Sequence, residues 1–73
     1  MDRKEYISMT AKQLVGRKAR ALVELPGRGG VAPVGSILEI ERKLRGFEMM
    51  GTIDGELRFF SHVQPEQIQL VED

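Results

Sequence analysis

Few residues in this chain have side chains suited to chemistry. His62 is the single histidine and the one side chain whose ordinary titration falls near neutrality, so a general acid–base step would rest on it alone. Cysteine is absent, which removes disulfides, thiolate metal sites and iron–sulfur clusters and fits a reducing compartment. One histidine also leaves no histidine-rich metal site and no Ser-His triad beyond His62 itself. The expectation is a non-enzyme without metal or cofactor. Pro26-Gly27-Arg28-Gly29-Gly30 has backbone amides that could cradle an anion, with Arg28 adding a charge-assisted bond. Neither a P-loop lysine nor Rossmann spacing accompanies it, so a flexible loop is the expected reading. His62, likewise, reads as a partly exposed strand residue.

The chain that must position these residues is 73 residues long, which allows one domain and one small core. Charged residues make up 30% and hydrophobic residues 41%, the balance of a soluble globular domain rather than a disordered tail. No apolar run approaches a membrane span of about 18 residues and no signal-peptide core opens the chain, so a cytoplasmic protein is expected. Eleven basic residues match eleven acidic ones, but unevenly: residues 1–20 carry +4 and residues 47–73 carry −5. The two ends are therefore expected to attract each other, within the chain or between copies.

Asp2 with Glu5, and Thr10 with Gln13, have the spacing of helix capping boxes. Two short helical pieces are expected within residues 1–15, the second stopped by Gly16. From Arg17 the period becomes two: Ala19, Ala21, Val23 and Leu25 form one face of a strand, with Leu22 on the opposite side. The alternation resumes from Ser36 to Leu44, with Leu38, Ile40 and Leu44 on one side. Arg45-Gly46 then turns the chain into the strand 47–53. Asp54-Gly55 is the strongest local signal, because a two-residue type I′ turn needs positive φ at both positions. The return strand runs from Glu56 to Val63, and Ile68 to Val71 forms a last short strand after Gln64-Pro65. Five strands are expected in all.

A long first loop, a shorter second one, a tight distal hairpin and a single helical turn before the last strand resemble the succession in an SH3-like barrel. The resemblance spans Gly16 to Glu72 and rests on that loop order, on Ala32-Pro33-Val34-Gly35-Ser36-Ile37, and on Val63-Gln64-Pro65-Glu66-Gln67-Ile68. It implies a mainly β fold: a five-stranded SH3-like barrel over residues 16–73, preceded by a helical extension over residues 1–15. The segment from Gly27 to Ile37 is also partly similar to a KOW-type module, though without its regular glycine spacing. The accessory barrels of redox complexes, such as the variable chain of ferredoxin-thioredoxin reductase, are similar in size and turn order. SH3 domains that bind proline-rich peptides do so on aromatic grooves. Here no aromatic lies between Pro26 and Gly35, so that activity is not expected, and the fold alone assigns none.

Phe59 and Phe60 are adjacent and must point to opposite faces of a regular strand. Aligning Phe59 with Leu57 and Val63 as the inner set sends Phe60 outside, with Met50 and Leu22. The expected function is thus a non-catalytic protein-interaction or assembly module, contacting a protein partner or a second copy through Leu22, Met50, Phe60 and Arg28. The rival cover for these apolar positions is the N-terminal segment, through Tyr6, Ile7 and Leu14. The alternative function is nucleic-acid binding through Arg17, Lys18, Arg20, Arg42, Lys43 and Arg45. Zero net charge and few aromatics for base stacking weigh against it.

Overall fold

A computed structural model describes residues 1–71; Glu72 and Asp73, part of the acidic excess noted above, lie outside the described residues. The chain begins with α1 (Arg3–Ser8), whose Asp2 cap accepts a hydrogen bond from the Glu5 amide, and α2 (Ala11–Leu14), where Thr10 and Gln13 complete a reciprocal capping box. Leu14 is fully buried, and Gly16, at φ 91°, turns the chain back so that its amide reaches the Ile40 carbonyl. Positive φ is easy for glycine, which explains the stop.

Seven strands follow: β1 (Lys18–Ala21), β2 (Leu25–Gly27), β3 (Gly30–Ala32), β4 (Ile37–Lys43), β5 (Phe47–Ile53), β6 (Glu56–Val63) and β7 (Ile68–Leu70), with a 3-10 turn at Pro65–Gln67 before the last. The fold is mainly β. An antiparallel five-stranded sheet runs in the order β6-β5-β4-β1-β7, beside a two-stranded sheet of β2 and β3. The backbone of Arg28 forms a single bridge to Phe59, joining the small hairpin to the β6 edge.

The count of strands differs from the five expected because the first one divides. The Ala21 amide donates to the Ser36 carbonyl, its own carbonyl accepts from the Gly35 amide, and it pairs with Ile68; the chain then leaves the large sheet. Val23 is consequently exposed, while Leu25 reaches the core from β2, opposite Ala32. The glycine-rich segment expected as a flexible loop is therefore a hairpin, with Arg28-Gly29 at its tip between paired Gly27 and Gly30. Pro26 is tolerated because β2 has a ladder partner on one side only.

Two irregularities bracket β5. Ile40 pairs with Met49 but Arg42 with Glu48, leaving Glu41 as an extra residue in β4; Met49 pairs with Phe60 but Phe47 with Val63, leaving an extra residue in β6. His62 takes φ 58° there. Such bulges bend a strand and deepen its twist, which curls the sheet around Phe47, Met49 and Ile68, all buried. Their effect on side-chain direction corrects three expectations. Phe60 and Val63, three residues apart, both face inward, while Leu57 and Phe59 face out. His62, which regular alternation from Phe60 would place on the same side of the strand, instead leaves that side and is exposed. Leu44, placed with Leu38 and Ile40 by alternation, is 68% exposed in the turn beyond the β4 bulge.

Candidate functional site

The outward side of the large sheet is defined by its register. One row across the strands reads Lys18 on β1, Glu39 on β4, Met50 on β5 and Phe59 on β6. Beside it, Arg20 pairs with Gln69 and Ile37, and Thr52 pairs with Leu57. Inward neighbours such as Leu38, Met49 and Phe60 fill the core, which fixes these alternates outside. Phe59 and Leu57 are more than half exposed and Ile37 is 42% exposed, while Met50 is half-buried between them. Ile37, Met50, Thr52 and Leu57 line a shallow groove over the backbone of Gly51, which the opposed pair Lys18 and Glu39 also borders. Gly51 itself faces the core, where a Cβ would stand 2.3 Å from Leu38 Cδ2.

Of the interaction residues named from sequence, Met50 and Arg28 converge on one point. Both are backbone neighbours of Phe59, and Pro26, Arg28, Phe59 and Ser61 share a second groove at the sheet edge. Phe60 is not part of this surface: it is 1% exposed, and Phe59 occupies the outer position assigned to it. Leu22 is exposed but follows β1, separated from β6 by β4 and β5 in the sheet order. Both anchors of the sequence alignment misplace Phe59: Val63 lies beyond the bulge, and Leu57, taken as inward, is itself exposed beside the turn.

The basic residues of the nucleic-acid alternative do not form one face. Lys43 donates to the Tyr6 and Met9 carbonyls and lies 4.5 Å from the centre of the Tyr6 ring. Arg17 lines a groove with Asp2 and Glu5 beneath α1. Lys18 stands opposite Glu39 and Arg42 opposite Glu48, whereas Arg20 faces Ile37 and Gln69. Arg45 lies in the turn between β4 and β5.

The N-terminal segment sits elsewhere, so it does not cover the outer apolar row. Tyr6 donates its hydroxyl to the Leu44 carbonyl at 2.8 Å and meets Phe47 edge-on at 5.1 Å; Ile7 is 74% exposed. Arg3 pairs with Glu66 at 3.0 Å and also donates to Gln64. One pair of opposite charges from the two ends thus meets within the chain. A hydrogen bond from backbone at Glu66, with the Arg3 guanidinium second, holds the Glu66 carboxyl below its ordinary value. Among the described residues no group of three or more His, Asp or Glu is arranged to hold a metal, and no helix is long and apolar enough to cross a membrane.

Neither a protein-family model, nor a curated protein, nor a solved structure matches this chain.

Proposed function

We propose that this chain is an SH3-like barrel acting as a non-catalytic protein-interaction module in the cytoplasm. The barrel reading is supported by the order of its parts: an excursion hairpin after β1, the β4–β5–β6 meander, and a 3-10 turn leading to β7 beside β1. One observation carries the function. Phe59, Leu57 and Ile37 lie exposed on one face, around half-buried Met50, with charged residues at its margin. An apolar centre with a polar rim is the anatomy of a recognition surface. Burying such side chains is favourable, and aromatic residues in particular concentrate binding energy.

The test is chemical cross-linking in the native lysate, comparing the natural chain with a Leu57→Ser/Phe59→Ser variant whose folding is checked by circular dichroism. Cross-linked species present with the natural chain and lost with the variant are expected. Identical species from both would overturn the reading.

A further inference from the structure

We infer that the occupant of this face is an acidic amphipathic helix of a partner protein, laid across the strands between Arg20 and Arg28. The inference rests on the interaction reading above and adds the chemistry of the partner. Lys18 and Arg42 each stand opposite a glutamate in the ladder. Arg20 and Arg28 do not: their ladder neighbours are Ile37, Gln69 and Phe59. Neither side chain makes an ion pair or hydrogen bond among the described residues, and both are exposed. They stand at opposite edges of the face in neighbouring rows: Arg28 adjoins Phe59, whose row runs on through Met50 to the opposed Glu39 and Lys18, and Arg20 adjoins Ile37 in the row beside it. A partner that fits brings apolar side chains to the middle and carboxylates to both ends.

The backbone of the sheet decides the conformation of that partner. Inside the sheet the strands spend their amides and carbonyls on one another, so an occupant lying on the face finds no backbone partners there and must satisfy its own. A helix does so. From the Arg28 bridge through β6, β5 and β4 to β1 is four strand spacings, about 19 Å at roughly 4.8 Å each. At about 1.5 Å per residue this is a helix of about 13 residues. Among the described residues a second copy of this chain offers no such element, its α-helices spanning six and four residues. The groove bordered by Ile37, Met50 and Leu57 receives the central apolar side chain.

The probes are three fluorescently labelled helical peptides of about 14 residues with one leucine face: one with glutamates at both ends, one with lysines there, and one with the acidic sequence scrambled. Fluorescence anisotropy is expected to show binding of the acidic peptide alone, weakened about tenfold or more by Phe59→Ser. Arg20→Glu/Arg28→Glu is expected to reverse the preference toward the lysine peptide, and added salt to narrow it. Equal binding of acidic and basic peptides, or an unchanged preference in the double arginine variant, overturns the acidic partner while Phe59→Ser still tests the face. If Phe59→Ser also binds like the natural chain, the interaction reading fails with it. Sedimentation showing a dimer that Phe59→Ser dissolves would instead give the face to a second copy, overturning this inference alone.

Discussion

Phe60 occupies the space that any side chain at Gly27 would need: a Cβ there would stand 2.4 Å from Phe60 Cε1. Directly opposite in the hairpin, Gly30 leaves the same kind of room for the Arg58 guanidinium, which donates to the Val31 carbonyl at 3.2 Å. Two glycines thus let β6 grip the hairpin with a ring and a guanidinium. Gly27→Ala is expected to cost about 1–3 kcal/mol by overpacking, and Phe60→Ala about 3–5 kcal/mol through the cavity it leaves. Phe59→Ala should stay within about 0.5 kcal/mol, as an exposed substitution does. Urea denaturation of the three variants checks the order.

Asp54 and Gly55 take φ 52° and 81°, the turn that joins Ile53 to Glu56. Nothing lies within 4 Å of a Cβ at Gly55, so a substitution there reports backbone strain without a clash. Gly55→Val is expected to destabilise by at least ~1 kcal/mol, lowering the melting temperature by about 4–8 °C for a domain of this size. An unchanged melting temperature would mean the turn tolerates a β-branched residue.

Removing residues 1–9 deletes the Tyr6 and Arg3 contacts together and is expected to lower stability. The two contributions separate with salt. Tyr6→Phe loses the bond to Leu44, about 0.5–1.5 kcal/mol, with little dependence on ionic strength. Arg3→Gln breaks a pair exposed on both sides, worth at most about 1 kcal/mol and screened by salt. Thermal melts at low and high salt distinguish them.

The Glu66 carboxyl has its affinity for protons reduced by folding. Its stabilising contribution is therefore complete above the ordinary glutamate value of about 4.3 and is lost as pH falls through the lower folded value. The difference in melting temperature between the natural chain and Glu66→Gln should be present at neutral pH and shrink on acidification within that window. A difference that grows on acidification would contradict the sign.

Local chemistry was the most legible part of the sequence. The Thr10–Gln13 cap, the stop at Gly16, the Asp54-Gly55 turn and the alternation through Leu38 and Ile40 all depend on residues a few positions apart. The β2–β3 hairpin was hidden because its glycines serve contacts with Phe60 and Arg58, some 30 residues later in the chain. Phe59 and Phe60 were interchanged because Phe59 was aligned with Val63, which lies beyond a bulge, and with Leu57, an apolar residue that is exposed. Lys43 was counted with a basic surface because of the other bulge: beyond Glu41 the strand resets, and its amine turns to the end of α1. Arg28 and Met50 were found as separate candidates, and pairing across strands is what joins them at Phe59.

The two bulges also set where the gene can change length. Each holds one residue more than the ladder requires, Glu41 in β4 and one between Phe60 and Val63 in β6. Losing the codon for Glu41 or Ser61 restores regular pairing and keeps the flanking core residues facing inward, at the expense of local curvature. Losing the codon for Met50 moves Ile53 from the inner face to the outer one. Single-codon deletions along β4 to β6 should therefore be tolerated at two places and rejected between them, a pattern set by strand length and not by residue identity.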